Sequence, residues 1–420
     1  PHVVMIIIDT LRADKLGSYG HPETVSPELD AIARDGVRFT DVLAQSSWTR
    51  PSIGSLLTSR YPRTLGLYEE QDHALPAHFE TLAEVLRSHG YTTIGLTANP
   101  NINTTFNFHQ GFDHYQDSTV RWGWMETDSG KPTNKQQALQ SARQLFDKAF
   151  EVVGSGHSGP FYLQVNLMEV HEYKMKAERS LVPETLQTLY QGLPDSKYLR
   201  AVRQASLEVG AFVERWRAKV ALRDTLFIIL SDHGEGLGDH PGVRFAGGHG
   251  SVLYESNLKV PLILSHPGRL EAREVTQRVR LLDLMPTVLD YLGLPAPIDS
   301  AGVSVMPWVR GEAATLELPD YFVAETAFRK REKIAVYGEQ WKWIENRKRH
   351  RGIRDTELQR MGRKEDGVRT DQQRGQIEEV RRLRRYRADW ERRFPKAAPH
   401  LSEALPPNVR EQLQSLGYLP

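Results

Sequence analysis

Two short runs limit the folds open to this chain more than any other feature. Val3–Ile8 and Thr225–Leu230 are almost wholly apolar, rich in β-branched residues, and lack the polar alternation of a half-exposed strand. Such runs read as strands buried on both faces, which belong to parallel sheets covered by helices on each side. Each run stops at charge, the first in Asp9-Thr10 and the second in Ser231-Asp232-His233-Gly234. Both acidic ends therefore fall at the carboxyl edge of a sheet, where open α/β sheets hold their ligands. Two carboxylates and an imidazole on one edge make a divalent-cation site, with Asp9, Asp232 and His233 as candidate ligands.

A third stretch carries different chemistry. In Trp48-Thr-Arg-Pro-Ser-Ile-Gly-Ser-Leu-Leu-Thr-Ser-Arg-Tyr-Pro62, Pro51 suits the first turn of a helix, and Ile53, Leu56 and Leu57 follow at helical spacing. That makes Thr49 the expected N-cap, its hydroxyl beside unpaired amides that suit a tetrahedral oxyanion. An ordinary capped helix is the alternative reading of the same residues.

The remaining pattern alternates strands and helices. Helices are expected over Ser26–Gly36, Phe79–Gly90, Gln137–Val153, Tyr198–Ala221 and Asp283–Gly293, and strands over Val37–Ala44, Thr92–Thr97, Phe161–Met168 and Val260–Ser265. The fold class is α/β: a mostly parallel central sheet flanked by helices on both faces, over residues 1–310. A smaller α+β subdomain over 311–420 has strands at Tyr321–Glu325, Lys333–Tyr337 and Trp341–Glu345, then an amphipathic helix over 374–394. Asn99, at the end of the Thr92–Thr97 strand, either reaches substrate oxygens or forms a turn before Pro100. Residues 100–135 read as loops over the active edge, with Trp122 and Trp124 either at its entrance or in a satellite core. The glycine-dense stretch Glu235–Gly250 permits close backbone approach to a ligand and contains His240 and His249. His240 is either a pocket histidine or a loop cap.

Composition narrows the partners. The chain has 420 residues, 39% hydrophobic and 25% charged, with net charge +1 and no cysteine, so disulfides and thiolate metal sites are excluded. No apolar run reaches the roughly 18 residues of a transmembrane helix. Segment 347–396 carries 18 Lys/Arg against 9 Asp/Glu. It reads as a salt-bridged helix face or as a surface for anionic lipid or polymer, and no nucleic-acid motif accompanies it. The sequence opens directly on its first strand, so an upstream signal peptide or membrane anchor, and an extracytoplasmic setting, are expected.

Taken in order, Asp9-Thr-Leu-Arg-Ala-Asp14, Thr49–Pro62, Ser231-Asp-His-Gly-Glu235 and Gly248-His-Gly-Ser-Val-Leu-Tyr-Glu255 resemble the sulfatase branch of the alkaline phosphatase superfamily. Thr81-Leu-Ala-Glu-Val-Leu86, Gly111-Phe-Asp113, Asp283-Leu-Met-Pro-Thr-Val-Leu289 and Leu416-Gly-Tyr-Leu419 are lesser echoes, so the likeness runs over nearly the whole chain. Two departures stand out. The sulfatase motif Cys/Ser-x-Pro-x-Arg, whose first residue becomes formylglycine, aligns to put Thr49 at the nucleophile and Ile53 at the arginine. Threonine cannot become formylglycine. Thr10 stands where many sulfatases have a second Asp.

A threonine nucleophile resembles the phosphoryl-transferring relatives: nucleotide phosphodiesterases, phosphonate monoester hydrolases, phosphoethanolamine and glycerophosphate transferases and lipoteichoic-acid synthases. The resemblance implies one divalent metal on Asp9, Asp232, His233 and the Thr49 hydroxyl, with Mn or Zn favoured and Ca or Mg admissible. It implies attack by Thr49 on phosphorus, with His171 and Arg50 steadying substrate oxygens and His249 assisting the leaving group. Lys174 is a further candidate for that pocket. The expected substrate is a small-molecule, lipid or polysaccharide phosphodiester or phosphonate ester. The alternatives are a sulfate ester hydrolase and a non-catalytic relative that binds an anionic polymer.

Overall fold

A computed structural model describes the chain except residues 69–72, 118–121, 127–131, 137–139, 155–158, 175–180, 220–222, 241–242, 244–246, 314–315, 317, 348–354, 362–375, 403–404 and 416–420; for 122–126, 132–136, 408, 412 and 415 it describes the backbone alone. Eight strands form the central sheet: β1 (His2–Ile8), β2 (Val37–Phe39), β3 (Thr92–Thr97), β4 (His114–Gln116), β5 (Phe161–Leu167), β6 (Thr225–Leu230), β7 (Leu262–Ser265) and β8 (Arg273–Val275). Their spatial order is β8-β2-β7-β6-β1-β5-β3-β4. The two apolar runs are neighbours at the centre: β1 lies parallel to β6, with Val3 opposite Leu226, and parallel to β5 on its other side. The one strand running against the rest is β7, antiparallel to both β6 and β2.

The alternation within β1 shows why both runs are apolar throughout. Val3, Met5 and Ile7 pack into one core, and Val4, Ile6 and Ile8 into another, all fully buried. The first core takes helices α2 (Thr49–Thr58), α3 (Leu82–Ser88) and α6 (Leu284–Leu292); the second takes α1 (Pro27–Arg34), α4 (Ala142–Val153) and α5 (Ser196–Ala218). The expected sheet with helices on both faces is therefore present.

Local differences have local causes. The expected Val37–Ala44 strand is split into β2 and a two-residue strand, Val42–Leu43, which pairs with Val279–Arg280. Helix α3 begins three residues later than expected because Thr81 forms a capping box with Glu84. Residues 100–136 hold two short 3-10 turns, β4 and a hairpin, Trp122–Glu126 with Pro132–Gln136. The side chains of Trp122 and Trp124 lie outside the described residues, as do Leu416–Leu419.

Beyond α6 the chain builds a four-stranded antiparallel sheet, β9 (Phe322–Thr326), β10 (Lys333–Tyr337), β11 (Trp341–Asn346) and β12 (Thr356–Arg360). Its two faces differ. Phe322, Ala324, Ala335, Tyr337 and Ile344 join the core of the large sheet. Val323, Ile334, Val336, Trp343 and Leu358 are covered by Val380, Leu383 and Trp390 of helix α7 (Ile377–Arg393). In the described part of the basic segment, arginines pair with nearby acids: Arg381 with Glu378, Arg382 with Glu379, and Arg347 with Glu332, Glu345 and Glu391.

Candidate active site

Helix α2 begins one residue from where the cap was expected. Trp48 is the N-cap, with extended backbone, and Thr49 is already helical. The Thr49 hydroxyl therefore does not cap the helix. Its Oγ1 lies 3.2 Å from Asp9 Oδ2 and 3.3 Å from His233 Nε2, and it is fully buried. Ser52, one turn inward, donates to the Asp232 carbonyl at 2.6 Å, tying α2 to the end of β6.

The strand ends close around this hydroxyl. Asp9 follows β1, and Asp232 and His233 follow β6. His233 Nε2 is 3.6 Å from Asp9 Oδ1 and 3.4 Å from Asp232 Oδ2, while Nδ1 sits 2.9 Å from the Gly234 carbonyl. With Nδ1 carrying the proton toward that carbonyl, Nε2 presents its lone pair to the cluster. Ser231 pins both loops, accepting from the Leu11 amide at 2.9 Å and donating to the His233 carbonyl at 2.8 Å. Gly234 is required here, because a Cβ would fall 2.0 Å from the Ser256 carbonyl oxygen. Thr10, directly after Asp9, has φ +60°, a left-handed backbone that a β-branched residue rarely adopts.

The cluster contains buried carboxylate oxygens that no hydrogen bond satisfies. Asp9 Oδ1 and both oxygens of Asp232 are buried without a hydrogen-bond partner. Burial and the Asp9 charge push the Asp232 carboxyl up to about 6. Among the described residues, Asp9, Asp232 and His233 form the one group of three or more such side chains close enough to share a cation, their ligand atoms lying within 4.8 Å of one another. Buried, unpartnered oxygens beside an imidazole lone pair fit a divalent ion.

Asn99 forms the turn that was one of its two readings and also touches the cluster. Its Oδ1 accepts from the Asn101 amide at 2.8 Å, shaping the turn, and its Nδ2 donates to Asp9 Oδ2 and lies 3.5 Å from Thr49 Oγ1.

Two further histidines stand over the cluster. The His249 ring is 4.9 Å from that of His233 and 5.0 Å from that of His171, centroid to centroid. Each is held by its own carboxylate: His249 Nδ1 lies 2.8 Å from Glu235 Oε2, and His171 Nδ1 lies 2.6 Å from Glu172 Oε1. Their basicities diverge. Burial lowers His171, but Asp9, Glu172 and Glu235 outweigh it and raise it to about 9. Burial and the neighbouring His233 and His171 outweigh Glu235 at His249 and lower it to about 4. At neutral pH the first is an imidazolium and the second a neutral ring. Exposed Lys174 reaches across to the Gly247 carbonyl at 3.0 Å and lies 3.9 Å from Glu235 Oε1.

Two candidates sit elsewhere. The Arg50 guanidinium is fully buried, 3.5 Å over the Phe106 ring, and bonds to the Asn101 carbonyl at 3.2 Å rather than standing open to a substrate. The register of α2 turns it inward, a direction that residue type alone does not reveal. The His240 ring lies 4.1 Å from that of Tyr254, tilted by 40°, and lines a separate cavity of about 480 Å³ with Arg12, Asp14, Glu255 and Lys259. Glu235 and Glu172 were absent from the sequence-derived candidates. Their signal was adjacency: Glu235 follows Asp232-His233-Gly234, and Glu172 follows His171.

Known proteins share this arrangement of chain. The arylsulfatase of Hemicentrotus pulcherrimus is 23% identical over 347 residues, 71% of this chain and 59% of that protein, so the chain spans about three fifths of its length. The phosphonate monoester hydrolase from Silicibacter pomeroyi superposes with a TM-score of 0.70 at 19% identity, covering 94% of this chain and 96% of that one. A putative sulfatase from Bacteroides thetaiotaomicron gives 0.71 at 17%, covering 98% and 96%. These structures establish a common fold. A family model described as N-sulphoglucosamine sulphohydrolase, C-terminal, matches residues 249–363. The model described as Sulfatase matches residues 1–294, from the first strand through α6, and the chain belongs to the sulfatase family.

Proposed function

We propose that this chain cleaves or transfers a phosphate ester, a phosphodiester or phosphonate ester, through a covalent intermediate on Thr49 with a divalent cation bound. The observation carrying the proposal is the buried Thr49 hydroxyl, within 3.3 Å of both Asp9 and His233, beside three unpartnered carboxylate oxygens. Asp9, Asp232 and His233 would hold the cation together with Thr49 Oγ1, and when bound it supplies positive charge that makes a hydroxyl more nucleophilic and neutralises phosphoryl oxygens. Mn or Zn suits the mixed oxygen and nitrogen donors best.

The protein's own groups divide the remaining work. Thr49 donates its proton toward Asp9 and directs a lone pair at phosphorus. A bond forms between Thr49 Oγ1 and phosphorus as the bond to the leaving oxygen breaks, and that oxygen leaves as an alcohol or aryl oxide. Water or an acceptor alcohol then displaces Thr49 and loses its proton. Imidazolium His171 offers a positive hydrogen-bond donor to the phosphoryl oxygens. Neutral His249, its Nδ1–H committed to Glu235, presents Nε2 as base to the incoming water and releases that proton to the departed alkoxide or to solvent, while Asp9 returns its proton to Thr49. First-turn amides of α2 add fixed dipoles at the same place.

Phosphorus is favoured over sulfur because Thr49 cannot form the aldehyde hydrate through which formylglycine enzymes release sulfate. Sulfate ester hydrolysis is the second reading, and the sulfatase relatives favour it. The test is turnover of matched aryl esters, a phosphodiester, a phosphonate monoester and a sulfate, with Mn or Zn, by wild type and Thr49→Ala. Turnover of a phosphorus ester that falls at least about a thousandfold in Thr49→Ala is expected. Turnover of the sulfate alone would overturn the assignment.

A further inference from the structure

Asp9 faces the cluster through a strained turn. Its own amide is still held by the sheet, donating to the Leu167 carbonyl at 3.0 Å. Thr10 then takes φ +60°, and Leu11 closes a tight turn by donating to the Ile8 carbonyl at 3.3 Å. A turn with positive φ at its third residue ordinarily has Gly or Asn there. A β-branched residue keeps that angle only where its surroundings hold it.

The hold comes from Tyr198, in the first turn of α5. Tyr198 is fully buried, and its hydroxyl is spent on this one loop: it donates to the Thr10 carbonyl at 2.7 Å and accepts from the Arg12 amide at 2.9 Å. Burial pushes the hydroxyl well above the usual tyrosine range, so it remains a donor at any working pH. The Tyr198 ring meets that of Tyr173, two residues after His171, at 5.2 Å and nearly edge-on. Other contacts already dock the loop as a whole. Lys15 pairs with Asp195 at 2.6 Å, at the start of α5, and the Leu11 amide reaches Ser231 Oγ at 2.9 Å. What the Tyr198 hydroxyl adds is a grip on the Thr10 carbonyl, next to the strained angle.

We propose that Tyr198 is a positioning residue: through the Thr10 carbonyl, its hydroxyl holds the left-handed turn that aims the Asp9 carboxylate at the cation and at Thr49. Released from this hold, Thr10 relaxes toward the right-handed region and carries the Asp9 carboxylate away from Asp232 and His233. This rests on the reading of Asp9 as a cation ligand.

The test uses the whole chain, stripped by chelator, in four forms: wild type, Tyr198→Phe, Thr10→Gly and the double variant. Phe keeps the ring against Tyr173 and removes only the hydroxyl, while Gly takes a positive φ without strain. Titration calorimetry with Mn should show affinity lower by about tenfold or more in Tyr198→Phe. The double variant should recover most of that loss, because Gly no longer needs the hold. At limiting Mn, kcat should follow the same order with KM for the ester unchanged, and excess Mn should restore Tyr198→Phe. A loss that Thr10→Gly does not rescue would mean that the hydroxyl serves general stability alone, and unchanged Mn affinity would mean that it has no role at the site; either result overturns the proposal. Hydrogen exchange in the chelated protein reads the turn without metal. Exchange of the Leu11 amide should quicken in Tyr198→Phe and slow again in the double variant. Failure of wild type to bind Mn or Zn would count against the proposed cation site, while that exchange order would still uphold the hold of Tyr198 on the turn, and equal exchange in all four forms would overturn it.

Discussion

Two pairs of aspartates lie a few residues apart in the same strand-end loops, and the protein treats them in opposite ways. Asp14 and Asp239 share Arg12, which meets Asp14 at 2.7 Å and Asp239 at 2.6 Å and also donates to the Glu235 carbonyl at 3.1 Å. Asp9 and Asp232 form no ion pair with an arginine or lysine among the described residues, and three of their four oxygens have no hydrogen-bond partner. The consequences are visible in their acidities. Arg12 outweighs partial burial and draws the Asp239 carboxyl down to about 2. Burial and a like charge push Asp232 up to about 6. An unpaired buried charge costs several kcal/mol. One pair has an arginine of its own, and the other has the bare oxygens that the proposed cation would occupy.

The largest effect expected from breaking this contrast is at the bare pair. Asp232→Asn should lower kcat/KM at least about a thousandfold and abolish stabilisation by Mn or Zn, read as the loss of a metal-dependent rise in Tm. In chelated protein the same substitution should instead stabilise. Asp232 rises from its ordinary 3.8 to about 6 on folding. Between those values the folded chain holds a proton that the unfolded chain has lost, so stability falls as pH rises through that window. The loss amounts to about 3 kcal/mol at neutral pH. Denaturant titrations in chelator at pH 4.5 and 7.5 should show that decline in wild type and a flatter response in Asp232→Asn. A variant that is less stable than wild type in chelator at pH 7.5 would mean that the bare pair carries no strain.

A smaller effect is expected at the paired aspartates. Arg12→Ala strands Asp239 and releases the Glu235 loop. The side chains of Asp14 and Asp239 are 59% and 27% exposed, so water recovers part of the loss. The expected cost is about 2–3 kcal/mol in a denaturant titration, largely independent of metal. Activity should fall less than in Asp232→Asn, because Glu235 and His249 are displaced rather than removed. Equal metal dependence in the two variants would erase the distinction drawn between the pairs.

Much of this was legible in the residues, for reasons that differ by position. Val3–Ile8 and Thr225–Leu230 had to be buried strands, and a parallel pair puts Asp9, Asp232 and His233 at one edge without any knowledge of side-chain contacts. Pro51 set the first turn of α2 and so brought Thr49 near that edge. The exact start of α2 was not legible, because an N-cap is defined by one residue's backbone angles, and Trp48 took them. The buried course of Arg50 was equally hidden, since it depends on which way α2 is rotated against Phe106. Arg12 gave no signal that its partners lay at Asp14 and, more than two hundred residues on, at Asp239. The reversal of β7 was invisible, because a short buried strand reads the same in both directions. Nor did composition reveal that Tyr198, far along the chain, bonds to the backbone of Thr10 and Arg12.

The central claim is that Thr49 becomes covalently phosphorylated, and acid-quenched intact-mass spectrometry tests it most directly. Protein loaded with Mn would be mixed with an excess of an aryl phosphodiester, quenched within the first turnover and mapped by peptide fragmentation. The account predicts a phosphoryl ester on Thr49 in wild type, retained longer in Glu235→Gln as discharge slows, and absent from Thr49→Ala. Rapid turnover with no adduct on Thr49, undiminished in Thr49→Ala, would contradict it.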